Sequence, residues 1–135
     1  MIPYGKQTLD EKDKQAVINV LEDNTYLTTG PKVKEFEEKV CNYIGCNYGV
    51  AVNSGTAALH CATFAADIQK EDEVIVSAIS FVASANCVLY QGGKPVFCDI
   101  DPETLNIDVN KIETLINEKT KAIIMVDMCG QPCHY

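Results

Sequence analysis

Three short apolar runs rich in β-branched residues, EVIVS (73–77), KPVFCDI (94–100) and AIIMVDM (122–128), recur along the second half of the sequence with helix-length stretches between them. A strand with one wet face alternates apolar and polar residues, whereas these runs are continuous, as in strands covered on both faces. Strands of that kind lie parallel, joined by crossover helices. An earlier run, YGVAVN (48–53), has the same character and leads directly into a helix predicted over about 55–66. Further helices are predicted near 82–89 and, after Asp108 as N-cap, through about 117. The pattern predicts an α/β layer with a largely parallel sheet, free of internal repeats.

The residues ahead of that layer read differently. Thr8-Leu9-Asp10-Glu11 fits a capping box, and Ala16, Val17, Val20 and Leu21 then recur at helical spacing, predicting a helix over about 10–23. A polar stretch (24–30) separates it from a second helix opening at Pro31, with Val33, Phe36, Val40, Tyr43 and Ile44 on one face and Gly45 as its left-handed stop. The expected organisation is a helical segment, 1–47, packing on an α/β layer, 48–135.

Charge narrows the function. Nineteen acidic residues against 11 basic ones give a net charge of −8, and every basic residue is a lysine. Nucleic acid, which needs a basic stripe, is excluded as a partner. Without arginine, a bound phosphate must be held by backbone N–H groups, hydroxyls or lysine. No run approaches membrane-spanning length and the first residues lack a signal-peptide pattern, so a cytoplasmic protein is expected. The 7 cysteines form no C-x-x-C pair and are expected to be reduced, buried and inert. Cys129, Cys133 and His134 offer three soft ligands but no fourth, and no metal is expected.

Chemistry concentrates at Asn53-Ser54-Gly55-Thr56-Ala57-Ala58-Leu59, where an apolar run ends and a helix begins. Free N–H groups and the positive end of the helix dipole converge there, Gly55 allows close approach, and Ser54 and Thr56 add hydroxyls. The simpler reading is that Ser54 or Thr56 only caps the helix. Phe81 follows EVIVS at the carboxyl edge where α/β sheets bind ligands, and an aromatic there suits either a flat heterocycle or the core. Asp99-Ile100-Asp101 has the form of a metal-binding D-x-D of a nucleotide-sugar glycosyltransferase, and Asp127 ends the last apolar run as a cap or a functional group.

Taken in order, LTTG-x-x-V-x-x-FE, NSGTAAL, SFVASAN, PVFCDIDPETLNID and TKAIIMVD resemble the first third of the DegT/DnrJ/EryC1/StrS aminotransferases, nearest the branch acting on UDP-linked 4-keto-6-deoxy sugars. The resemblance implies the N-terminal part of the large domain of a fold-type-I, aspartate-aminotransferase-like enzyme using pyridoxal 5′-phosphate, usually a homodimer. It implies Ser54, Gly55 and Thr56 at the cofactor phosphate, Phe81 on its ring, and Tyr4, Thr25, Tyr26, Leu27, Thr28 and Gly55 lining the pocket for a nucleotide-linked keto-deoxysugar. Glutamate would be the amino donor. The family's cofactor-holding lysine lies in a block not found here, so the 135 residues alone are expected not to transaminate and to serve at most as a binding or structural fragment. Such a fragment should leave the strands around 74–76 and 123–126 under-covered.

Overall fold

In the computed structural model, which describes residues 5–23 and 25–135, the chain divides into two units, Met1–Ala51 and Val52–Tyr135. The second is organised around β1 (Glu73–Ser77), all five residues of which are buried. β2 (Lys94–Cys98) and β3 (Thr120–Ile124) pair with it in parallel from either side, giving the order β2-β1-β3. Three further helices, α3 (Gly55–Ala65), α4 (Ala83–Tyr90) and α5 (Val109–Leu115), are interleaved with these strands.

The two-residue period of β1 sorts its side chains onto two cores. Val74 and Val76 join Ile68, Cys87 and Val88, with Leu59, Ala122 and Ile124 packed beside them. Ile75 points the other way, to Cys98 and Ile107, with Val96, Ile112 and Leu115. Helices thus cover both faces. At about 1.5–3 kcal/mol for each fully buried aliphatic side chain, β1 is the energetic centre of the unit. α3 and α4 pack together, with the buried Thr63 hydroxyl 3.1 Å from the Cys87 carbonyl and the His60 and Tyr90 rings edge to face at 5.1 Å. The turn from α4 to β2 needs Gly92 at φ 81°, and a Cβ on Gly93 would come within 2.8 Å of Ile68 Cγ2.

The α/β class and parallel sheet agree with the sequence reading, and several details differ. Only β1 has a strand on either side, and on the two edge strands Phe97 of β2 and Ile123 of β3 are 58% and 41% exposed. The expected under-covering of 74–76 is therefore wrong, since both helix layers seal those residues. No strand forms at 48–53, because no neighbouring strand is present there among the described residues. β3 stops at Ile124, the residue that matches Val76, the last of β1 to pair with it. Beyond it the chain turns through Met128–Gly130, fastened by the buried Asn106, whose amide donates to the Gln131 and Pro132 carbonyls and accepts the Met128 N–H.

The unit Met1–Ala51 carries α1 (Glu11–Asp23) and α2 (Pro31–Ile44). Its capping box sits two residues later than predicted. Asp10 accepts the N–H groups of Lys12 and Asp13, and Asp13 accepts the Asp10 N–H in return. A carboxylate at the N-cap outcompetes the threonine upstream. Pro31 opens α2 and Gly45, at φ 78°, closes it as expected. Lys32 and Lys39 hold the Glu35 carboxyl down to about 2, although these pairs lie in solvent and add little stability. Among the described residues no helix is long and apolar enough to cross a membrane.

Candidate functional site at the start of the third helix

Ser54 is the N-cap of α3. Its backbone is extended, its hydroxyl oxygen accepts the Ala57 N–H at 3.2 Å, and its carbonyl accepts that of Ala58 at 3.0 Å. Its own hydroxyl proton goes to Asn53 Oδ1 at 3.2 Å. The capping reading is thus satisfied, and it leaves a remainder. The N–H groups of Gly55 and Thr56 meet no acceptor among the described residues, nor does the Thr56 hydroxyl. The first four N–H groups of an α-helix have no partner within it; here the Ser54 hydroxyl takes that of Ala57, and those of Gly55 and Thr56 stay open with the dipole behind them. A Cβ built on Gly55 meets nothing within 4 Å, so the chain's own packing does not require glycine there. What glycine does provide is room for a ligand to approach two N–H donors.

Phe81 lies past the carboxyl end of β1, immediately before α4, and is 74% exposed. Within this chain the ring belongs to neither core cluster. Its carbonyl accepts the Ser84 N–H, which fixes the backbone that presents the ring. The Ser84 hydroxyl, buried one helical turn on, lies 2.6 Å from that of Ser80 and braces the same corner. Sequence reasoning does not single out Ser84; its spacing of four from Ser80 was the available signal. The helices that begin at these two positions, α3 and α4, pack on each other.

The other candidates fare differently. Asp99 is engaged by Lys111 at 3.0 Å, which holds its carboxyl below the usual range together with the Ile100 N–H. Asp101 accepts the N–H groups of Glu103 and Thr104 and shapes the turn toward Asn106. The D-x-D reading therefore fails: one carboxylate is neutralised by a lysine and the other is a turn cap. Asp127 is structural, accepting the Cys133 N–H and the Tyr135 hydroxyl, both of which lower its pKa. Cys133 is buried with its thiol on the Val126 carbonyl, while Cys46, Cys61 and Cys129 are exposed, against the expectation of buried thiols. Among the described residues no group of three His, Cys, Asp or Glu side chains is placed to hold a metal.

Tyr4 lies outside the described residues. Thr25, Tyr26, Leu27 and Thr28 belong to the Met1–Ala51 unit. Thr25 donates its hydroxyl to the Asp23 carbonyl, whereas Tyr26 and Leu27 are exposed and line a largely apolar hollow of about 360 Å³ with Val20, Pro31 and Val33. Thr29 at φ 47° and Gly30, against Tyr26 Cβ, hold this loop in shape.

Comparison with known proteins supplies the family context. Residues 7–135 match the model of the DegT/DnrJ/EryC1/StrS aminotransferase family. The GDP-perosamine synthase of Caulobacter vibrioides is 41% identical over 132 residues, covering 98% of this chain and 36% of that protein. Among solved structures, Helicobacter pylori PseC, an aminotransferase of pseudoaminic acid biosynthesis, superposes with a TM-score of 0.87 at 39% identity, over 97% of this chain and 35% of its own. GDP-4-keto-6-deoxymannose-3-dehydratase, solved with a trapped adduct of PLP and glutamate, gives a TM-score of 0.91 at 31% identity over 97% and 35% of the two chains. The chain spans about a third of the length of these relatives.

Proposed function

Since the chain belongs to the DegT/DnrJ/EryC1/StrS aminotransferase family, we propose that it is the N-terminal part of a pyridoxal-phosphate enzyme that moves an amino group from glutamate to the C4 keto carbon of a nucleotide-linked 4-keto-6-deoxy sugar. The observation that carries this reading is the start of α3, where two outward N–H donors, the Thr56 hydroxyl and the empty Cβ position of Gly55 fit a phosphate without any arginine. The exposed Phe81 ring suits a flat heterocycle. When bound, the cofactor supplies an electron-accepting ring that stabilises charge on the carbon losing its proton.

The chain's own contribution is to bind and orient. Gly55 and Thr56 N–H groups anchor the phosphate, Ser54 fixes the helix start that aims them, and Phe81 restrains the ring. Three lysines of the α/β unit are engaged in ion pairs. Lys94 pairs with Glu73 and Lys119 approaches Glu71 near the amino ends of the strands, and Lys111 is held by Asp99 and Asp108. On the family reading, the covalent attachment and proton transfers fall to a lysine in the part of the family's length that this chain does not span, and the 135 residues bind without turnover. Tyr4, Thr25, Tyr26, Leu27 and Thr28 are assigned to the sugar-nucleotide side, with the apolar hollow at Tyr26 and Leu27 in support. The complete enzyme works as a homodimer. The dehydratase among the structural relatives favours a second reading, in which the same phosphate site serves removal of a sugar hydroxyl.

The test is to titrate the chain with pyridoxamine 5′-phosphate and follow the cofactor's fluorescence, with inorganic phosphate as competitor. Saturable binding that phosphate displaces supports the reading, as does the absence of amino transfer when glutamate and a nucleotide-linked keto-sugar are added. Binding that pyridoxamine matches without its phosphate sinks the assignment of the α3 start.

A further inference from the structure

The end of α2 carries a feature that the aminotransferase reading leaves unused. Gly45 and Cys46 both donate their N–H groups to the Cys41 carbonyl, at 2.8 and 3.1 Å, with Gly45 in the left-handed conformation. This is a Schellman-type stop, and its geometry brings the side chain three places before the cap into contact with the one two places after it. In most helices that contact joins two apolar residues; here both positions are cysteine. A disulfide needs about 4.4–6.8 Å between Cα atoms, a range compatible with the Cys46 N–H resting on the Cys41 carbonyl at 3.1 Å.

The two thiols differ in environment. Cys41 is 9% exposed and sits under the following segment, so that a Cβ on Gly49 would come within 2.8 Å of its sulfur. Cys46 is exposed, with its S–H on the Tyr48 carbonyl at 3.4 Å. The neighbouring Cys46 thiol, burial and Glu37 together hold the Cys41 thiol above its ordinary value. One sulfur is thus open to reagents, and the other is sheltered beside it. Sensor pairs need such an arrangement, with an accessible cysteine poised next to a resolving one.

We infer that Cys41 and Cys46 form a reversible dithiol–disulfide site at the C-terminus of α2, oxidised by hydrogen peroxide. The Cys46 thiolate attacks one peroxide oxygen; an S–O bond forms, the O–O bond breaks and the departing hydroxide takes a proton to become water. The Cys41 sulfur then attacks the Cys46 sulfur, forming S–S and breaking S–O, and the second hydroxide leaves as water with the Cys41 proton. Two thiols lose two electrons in all and one peroxide becomes two waters. An external dithiol reverses the change by exchange. Oxidation removes the Cys46 S–H donor from Tyr48 and ties the stop of α2 covalently, next to the segment that Glu37 already holds through the Ala51 N–H at 2.8 Å.

The test uses the full chain carrying Cys61→Ser and Cys129→Ser, which removes the other exposed thiols. The folded protein is treated with hydrogen peroxide, alkylated and cut with chymotrypsin, which cleaves after Tyr43 and Tyr48 and so separates the two cysteines. The expected result is a linked pair of peptides containing Cys41 and Cys46. It should account for most of the oxidised Cys46, revert with dithiothreitol and vanish in Cys46→Ser, where Cys41 is recovered alkylated. Recovery of Cys46 as sulfinic acid with Cys41 alkylated overturns the inference, as does full alkylation of both at peroxide doses that oxidise the buried Cys87 or Cys98.

Discussion

A Gly55→Ala substitution adds one Cβ at the first residue of α3, and no heavy atom of the chain lies within 4 Å of it. The helix then gains the lower backbone entropy of alanine, worth about 0.5–1 kcal/mol in a helix interior and roughly half of that at a first turn. For a unit of this size that raises Tm by roughly 1–4 °C. Binding should move the other way. The new methyl group occupies the approach to the Gly55 and Thr56 N–H groups, and losing one charge-assisted hydrogen bond costs about 1.5–3 kcal/mol, or roughly 10- to 100-fold in Kd. The assay pairs a thermal melt with a fluorescence titration by pyridoxamine 5′-phosphate. A variant at least as stable as the parent but binding at least tenfold more weakly fits the reasoning. A variant that binds like the parent refutes it, and one that melts earlier shows that glycine serves the chain's own fold instead.

Three further outcomes follow from other parts of the structure. Phe81→Ala should leave Tm nearly unchanged, because the ring is 74% exposed, yet weaken pyridoxamine 5′-phosphate several-fold without altering inorganic phosphate binding; equal losses for both ligands would contradict ring stacking. Gly93→Ala should destabilise the α/β unit by about 1–3 kcal/mol in a urea titration, since its Cβ would press on Ile68, Val88 and the Asp72 carbonyl; a neutral result would mean the α4–β2 turn yields easily. Glu73, bonded first by Asn117 and then by Lys94, is held below its ordinary value of 4.5. Its contribution is therefore complete above that value and lost as pH falls through the lowered one. Glu73→Gln should reduce stability at neutral pH and narrow its gap to the parent as pH falls below 4.5, and a gap that stays constant on acidification would contradict the ion pair.

What the sequence made legible was mostly what a few neighbouring residues decide. Pro31 and Gly45 bracket α2 as read, Ser54 caps α3, and Asp108 caps α5 by accepting the Asn110 N–H. The apolar run of β1 was equally readable, because continuous burial needs no knowledge of which strand lies beside it. Where an element depends on a partner, the reading failed. Residues 48–53 carry strand composition but find no neighbour among the described residues, and the run at 122–128 loses its strand where β1 ceases to pair. The capping box at α1 shifted because two aspartates three apart compete with a threonine, a contest that spacing alone does not resolve. At the candidate site, the helix start was legible and the exposure of Phe81 was not, since an aromatic after a strand serves core and ligand equally well.

The most direct measurement is an amide NMR titration of the 135-residue chain with pyridoxine 5′-phosphate, which has the cofactor's ring and phosphate but no aldehyde to react with surface lysines. The Gly55 and Thr56 amide resonances should shift most, with saturation, and the Phe81 ring protons should shift with them, while pyridoxine without phosphate leaves the two amides in place. Saturable shifts that map elsewhere, with Gly55 and Thr56 unmoved, would contradict the assignment of the α3 N-terminus as the phosphate site.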